Sequence, residues 1–281
     1  MTWALLRDIF IGTIQDLDEA LGEWQLDEEV TVHRFATTIS AVEFAFPPAR
    51  SNLFTARSIL VGLQRKHRTR HHFPLCFQMM LVYMGFFGAW RGGRAAGGLY
   101  VQYIRGLRTS EVLNISPEDV SLPEDSIDPQ EGVCIVSLGV RINTKNNRPQ
   151  FIVLHERDPK DAKAIHILRL GKHTTRPGVP IFYFSYQQWN DLFRRCSIVL
   201  KLREAATAHS PRPGWATDCL LARLAFTEIQ EQGRWTSPAS LRIYLDAVGA
   251  AAQRARSEAA GWAHLAQQVS SDFWKFVPRW W

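Results

Sequence analysis

The segment from Leu75 to Trp90 is the most apolar part of the chain, and it constrains the fold more than any other feature. It is interrupted by Gln78 and is shorter than the ~20 residues that a membrane-spanning helix needs. A helix that is apolar on every side must be buried among other elements. The segment therefore predicts the core helix of a sizeable domain, and no membrane partner is expected.

Apolar residues at helical spacing dominate the rest of the chain. Residues 1–64 contain three short helical patterns, of which the second stops at Pro47-Pro48. After the core segment, the glycines of 92–98 interrupt the pattern, and a helix is expected over about 99–104. A capping box at Ser185-Tyr186-Gln187-Gln188 opens the next predicted helix. This helix is predicted at 185–202, and further helices are predicted at 209–223, 226–232, 237–247 and 253–269, the last followed by an aromatic tail.

The only clear β pattern lies in the middle of the chain. Apolar strands are predicted at 133–138 and 151–154, and the turn formers Asn143-Thr144-Lys145-Asn146-Asn147 lie between them. The predicted fold class is therefore mainly α with a small antiparallel β-hairpin, and Lys145 lies near its tip.

The charge of the chain favours a polyanionic partner. The formal net charge is +6 and the pI is about 9.3. The densest basic run is 65–72, in which Arg65, Lys66, Arg68 and Arg70 are candidate contacts to DNA phosphates. A solvated linker between domains is an equally good and compatible interpretation. The four cysteines lie far apart, so neither a metal site nor a disulfide framework is expected, and the chain is expected to be intracellular.

One group of residues is suited to binding and attacking a phosphate ester. His209-Ser210-Pro211-Arg212 places a histidine and an arginine three residues apart, on one face if the segment is helical. Pro211 then has to lie in the first helical turn, where a missing N–H is harmless. The indole of Trp235 can donate to a phosphate oxygen, and Tyr244 follows as a candidate nucleophile.

Two upstream residues complete the set. Arg108 can donate two parallel hydrogen bonds to a phosphate, and Lys145 on the hairpin can protonate a leaving oxygen. Arg141 and Arg148 flank the same turn, which makes Lys145 less specific than the other positions. Any one of these residues alone is more commonly a packing residue or a surface ion pair.

The combined pattern resembles the tyrosine recombinase, or phage integrase-like, family. Leu107–Leu113 is similar to its first arginine box, 209–217 to its second, and Gly233-Arg234-Trp235 through Leu245 to the box that ends in the nucleophile. The residues of these boxes are most similar to those of crypton- or DIRS-like mobile-element recombinases. All six catalytic positions of the family are filled: Arg108, Lys145, His209, Arg212, Trp235 and Tyr244. Glu111 matches an acid that supports the first arginine.

The resemblance implies a domain plan and an activity. A small helical core-binding domain (1–70) would precede the catalytic domain (71–250), and residues 251–281 would dock on a neighbouring subunit. The implied enzyme is a site-specific recombinase that acts on double-stranded DNA as a homo-tetramer, through a 3′-phosphotyrosyl intermediate, without metal or cofactor. A type IB topoisomerase-like enzyme and a catalytically decayed DNA-binding protein are the alternatives.

One position departs from the family pattern. Arg223 precedes Leu224 where the family usually has Gly-Leu, at the joint between two predicted helices. If this joint requires a positive φ, a side chain there costs on the order of 1 kcal/mol. The departure would lower stability without touching the chemistry.

Overall fold

The computed structural model describes residues 13–28, 30–66, 73–138, 150–202, 205–242, 244–245 and 260–281, and it divides into two compact units, Met1–Arg70 and His71–Trp281. Side chains of 65–66, 273–276 and 278–280 are not described. Of the predicted site residues, Lys145, Arg68 and Arg70 lie outside the described residues, as do the side chains of Arg65 and Lys66. DNA binding by the first unit stays a prediction.

The first unit is helical, as its three apolar patterns predict. Its buried core includes Leu21, Phe35 and Leu53. The buried carboxylate of Asp18 accepts hydrogen bonds from the backbone N–H groups of Thr55 and Ala56, at 2.7 and 2.8 Å, and so satisfies the start of the third helix. Its helices are α1 (Ile14–Glu28), α2 (Val32–Ala45) and α3 (Phe54–Lys66), with a 3₁₀ turn at Pro47–Ser51.

The second unit is built around α4 (Phe77–Arg91), which is the predicted core helix, and α5 (Gly93–Ile104), which packs against it. The expectation that α5 starts near residue 99 was wrong, because Gly97 and Gly98 lie inside the helix. A Cβ on Gly98 would come within 3.1 Å of the side chains of Phe182 and Trp189. These glycines therefore allow close packing and do not break the helix.

Three antiparallel strands form the sheet in the order β1 (Val120–Ser121), β2 (Val133–Leu138) and β3 (Gln150–His155). The predicted hairpin is the β2–β3 pair, in which Cys134 faces Leu154. The two-residue strand β1 is too short to show a period-2 pattern, so the sequence did not predict it.

A long helix after the hairpin, α7 (Pro159–Thr174), was also not predicted. Asp158 caps it by accepting from the backbone N–H groups of Lys160 and Asp161. The next helix, α8 (Tyr186–Val199), begins with the predicted capping box, in which Ser185 accepts from the backbone of Gln188.

The remaining helices are α6 (Thr109–Leu113), α9 (Pro211–Leu221), α10 (Phe226–Gln232), α11 (Pro238–Arg242) and α12 (Trp262–Trp280). Helix α11 is shorter than predicted. The aromatic tail belongs to α12, which packs against α4 and α5 of its own unit. Docking of this region on a neighbouring subunit stays a prediction. Among the described residues, no helix is long and apolar enough to cross a membrane.

Candidate active site

Arg108 lies at the N-cap of α6, where the chain leaves the turn after α5. Glu111 accepts a hydrogen bond from the backbone N–H of Arg108 at 2.8 Å and another from its guanidinium at 2.5 Å. The pair therefore fixes both the backbone and the side chain of Arg108. Glu111 thus contacts Arg108 as expected, while its support of a catalytic arginine stays a prediction.

Arg212 lies in the first turn of α9 and is 4% exposed. Its guanidinium donates to the backbone carbonyls of Gly106, at 2.5 Å, and Gly233, at 2.6 Å. Its Cζ atom lies 4.1 Å from the centroid of the Trp235 ring. The Arg212 side chain thus connects three parts of the chain: the segment before Arg108, helix α9, and the turn after α10 that contains Gly233 and Trp235.

Burial and the positive charge of Arg108 lower the pKa of Arg212 to about 9, while Glu111 opposes the shift. Arg212 therefore keeps its charge at neutral pH. A buried cation whose own hydrogen bonds go to neutral carbonyls keeps an unneutralised charge for an incoming anion.

Trp235 and Tyr244 meet beside Arg212. The indole of Trp235 stacks on that of Trp215, with centroids 6.2 Å apart and planes 7° from parallel. The Tyr244 ring lies 5.8 Å from the Trp235 ring on centroids. Tyr244 is half-buried, and its backbone carbonyl accepts from the Thr217 hydroxyl of α9 at 3.4 Å. Trp235 therefore brings the predicted nucleophile and a predicted phosphate ligand together.

His209 lies in the turn before α9, and Ser210 is the N-cap. The expectation that His209 and Arg212 share a helix face was wrong, because the helix starts only at Pro211. The two residues are joined by a turn instead, in which the Arg212 N–H donates to the His209 carbonyl at 3.3 Å. The His209 ring lies 5.8 Å from that of Tyr186. Pro211 does lie in the first turn, as predicted.

A buried polar network ties this turn to Arg108. Ala208 precedes His209, and its carbonyl accepts from Gln102 at 2.8 Å and from Thr109 at 2.8 Å. Gln102 also accepts from the indole N–H of Trp189 at 3.0 Å. Because Thr109 follows Arg108 directly, the network fixes the position of the Arg108 segment relative to the His209 turn.

The structure adds a third arginine that received no role from the sequence. Arg234 donates to the second Glu111 oxygen at 2.9 Å, and the two side chains are 9% and 8% exposed. Burial alone would raise the pKa of Glu111, but Arg234, Arg108 and Arg212 together hold it below its ordinary value. The only sequence signal was an arginine between the glycine and the tryptophan of the third box.

Taken together, three guanidinium groups and one carboxylate form a cluster with excess positive charge beside a tyrosine. Such a cluster suits a phosphodiester, in which negative charge grows on the non-bridging oxygens during displacement. Among the described residues, no group of three or more His, Cys, Asp or Glu side chains could hold a metal.

Comparisons with known proteins identify the fold. No family model matches the sequence, and no curated protein matches it. The structure of the Tn1549 transposon integrase in complex with circular intermediate DNA aligns with a TM-score of 0.56 at 14% identity, over 85% of this chain and 82% of that one. A variant of the same integrase with transposon right end DNA gives a TM-score of 0.55 at 12% identity, over 87% and 86% of the two chains.

The XerH site-specific recombinase bound to its difH substrate gives a lower TM-score of 0.47 at 14% identity, over 80% of this chain and 72% of that one. The chain has the fold of the tyrosine recombinase catalytic domain, preceded by a small helical unit. The resemblance predicted from the boxes is thus confirmed at the level of the fold.

Proposed function

We propose that the chain is a site-specific DNA recombinase or integrase that cleaves and rejoins double-stranded DNA through Tyr244. The observation that carries the proposal is the shared contact of Trp235 with Arg212 and Tyr244, by which a guanidinium and a tyrosine ring lie at one indole. The integrase with this fold was solved in complex with DNA, which supports DNA as the substrate.

The proposed reaction conserves the phosphodiester bond energy. The Tyr244 oxygen attacks the phosphorus and forms a 3′-phosphotyrosyl bond while the bond to the 5′ oxygen breaks. His209 takes the phenolic proton, and Lys145 gives a proton to the leaving oxygen, which becomes a 5′-hydroxyl. The 5′-hydroxyl of a partner strand then attacks the phosphotyrosyl bond and releases Tyr244.

Arg108 and Arg212 are the proposed ligands of the non-bridging oxygens, and the indole N–H of Trp235 is a third donor. Because these groups supply the positive charge and the donors, we propose that cleavage needs no metal ion or cofactor. A homo-tetramer on two DNA sites, and phosphate contacts by Arg65, Lys66, Arg68 and Arg70, are proposed from the family resemblance and the basic run.

A covalent-capture experiment tests this function. The full chain is incubated in EDTA with a pool of nicked, sequence-randomised duplexes and with DNA that flanks its coding region, and SDS-resistant adducts are sequenced. The proposal expects adducts enriched in one sequence, followed by strand exchange when a second copy of that sequence is added. Adducts without sequence preference that lead only to relaxation of supercoils would indicate a topoisomerase. DNA binding without any adduct would indicate a decayed enzyme.

A further inference from the structure

Among the residues that the structure describes, three residues other than glycine take a positive φ at a helix end, and Arg234 is one of them. The φ values are 51° at Lys201, 65° at Arg223 and 58° at Arg234. Each closes its helix with the same pair of backbone hydrogen bonds; for Arg234 these are its own N–H to Glu231 and the N–H of Trp235 to Gln230, both 3.0 Å. Glycine is the ordinary residue at such a position.

The three residues differ in what their side chains do. Lys201 and Arg223 are exposed, whereas the side chain of Arg234 is 9% exposed and donates to Glu111 at 2.9 Å. A second guanidinium nitrogen of Arg234 donates to the carbonyl of Gln232 at 2.9 Å. Of these three left-handed positions, only Arg234 directs its side chain inward, onto the carboxylate that also binds Arg108.

Glu111 is shared between two guanidinium groups. One oxygen accepts from the Arg108 guanidinium at 2.5 Å, and the other accepts from the Arg108 backbone N–H at 2.8 Å and from the Arg234 guanidinium at 2.9 Å. A carboxylate held on both oxygens has a fixed orientation. Arg234 also adjoins Trp235, so the same ion pair connects the joint that carries the indole to the start of α6.

We propose that Arg234 is a positioning residue for strand cleavage: it holds the Glu111 carboxylate against the Arg108 guanidinium, and so aims Arg108 at the phosphate without touching DNA itself. The proposal rests on the proposed function. It gives Arg234, the buried arginine of the third box, the role of orienting Arg108, which lies 126 residues earlier in the chain.

Arg223 provides a matched control, because it has the same backbone conformation and an exposed side chain. R234G and R223G both relieve a positive φ, but only R234G removes the cation from Glu111. We expect R223G to form the covalent adduct at the wild-type rate, and R234G and R234Q to form it about 10- to 100-fold more slowly, since small misplacements of a catalytic group have effects of this order. R234K should recover part of the rate, and DNA affinity should stay unchanged.

The pH profile separates positioning from a general structural role. Arg234, Arg108 and Arg212 face Glu111, and Arg234 contributes most to lowering its pKa after the opposing effect of burial. In R234Q, Glu111 therefore takes up its proton at higher pH and releases Arg108 earlier, so the acidic limb of the rate profile moves to higher pH. An unmoved limb, or an equal slowing in R223G, would overturn the proposal.

Carboxyl NMR of the full chain with labelled glutamate tests the same link without catalysis. The Glu111 signal should titrate at higher pH in R234K than in the wild type, and higher again in R234Q, while R223G should match the wild type. Identical titrations would overturn the role of Arg234. Failure of the wild type to form any adduct would instead contradict the proposed function, while the titration would still decide whether Arg234 controls Glu111.

Discussion

The Cζ atom of Arg212 lies 4.1 Å from the centroid of the Trp235 ring, while each terminal guanidinium nitrogen of Arg212 donates one hydrogen bond to a backbone carbonyl. Arg212 is thus a structural residue as well as a proposed phosphate ligand. A guanidinium over an indole also gains from the ring quadrupole. Substitutions at this position must therefore be judged on stability before activity is compared.

Arg212→Lys should destabilise the fold, because one ammonium group cannot reproduce the two-pronged contact with the carbonyls of Gly106 and Gly233. We expect the free energy of unfolding to fall by about 1–3 kcal/mol, the range for a buried group that loses its partner. Urea denaturation measures this. The exposed Arg223→Lys serves as a control and should stay within about 0.5 kcal/mol of the wild type; equal effects would contradict the structural role of Arg212.

Glu111→Gln should remove a pH-dependent part of the stability. The folded-state pKa of Glu111 is lowered, since Arg234, Arg108 and Arg212 outweigh the effect of burial, so the ionised form stabilises the fold. This contribution is complete above the ordinary value of 4.5 and is lost as the pH falls through the lower folded-state pKa. Urea titrations between neutral and acidic pH should show the gap between wild type and variant closing. A constant gap would contradict the ion-pair assignment.

Gly214→Ala should displace the start of α9. A Cβ at this position would lie 1.9 Å from the Leu75 carbonyl oxygen, which belongs to the backbone and cannot turn aside. We expect a loss of about 1–3 kcal/mol or more in unfolding free energy. In contrast, Gly62→Ala in α3 meets nothing within 4 Å and should stabilise its helix by up to about 1 kcal/mol. Thermal unfolding of both variants checks the prediction, and an unchanged Gly214→Ala would refute the close contact.

Trp235→Phe and Trp235→His separate packing from hydrogen bonding. Phenylalanine keeps a ring near Arg212 and Tyr244 but has no N–H, so adduct formation should fall by about 10²- to 10³-fold, as for loss of one donor to a developing oxyanion. Histidine, which keeps an N–H donor, should restore most of the rate although its ring covers less of Trp215 than the indole does. Single-turnover cleavage measures this, and equal rates in the two variants would show that the N–H is not used.

The sequence predicted those parts of the site that involve neighbours within four residues. The first-turn position of Pro211 was predicted from the residues themselves, whereas the support of Arg108 by Glu111 and the joint at Arg223 were expected from the family resemblance. Arg223 indeed has φ 65°, as the usual glycine at this joint predicts. The cost of this conformation is of the order of 1 kcal/mol and lies away from the arginine cluster.

The sequence did not predict the contacts between segments that lie far apart in the chain. Arg234 reaches Glu111 because the fold brings the end of α10 to α6, 123 residues away in the chain. The position of His209 was misjudged because i and i+3 share a face only within a helix, and α9 starts two residues later. The glycines of α5 were misjudged because propensity gives no information on the approach of Phe182 and Trp189.

The proposed function depends on Tyr244 as the nucleophile. The most direct measurement is mass spectrometry of the protease-treated covalent adduct, with Tyr244→Phe and the exposed Tyr183→Phe compared under the same conditions. We expect a nucleotide attached to the peptide that contains Tyr244, no adduct with Tyr244→Phe, and as much adduct with Tyr183→Phe as with the wild type. An adduct that persists in Tyr244→Phe, or a nucleotide attached to any other residue, would contradict it.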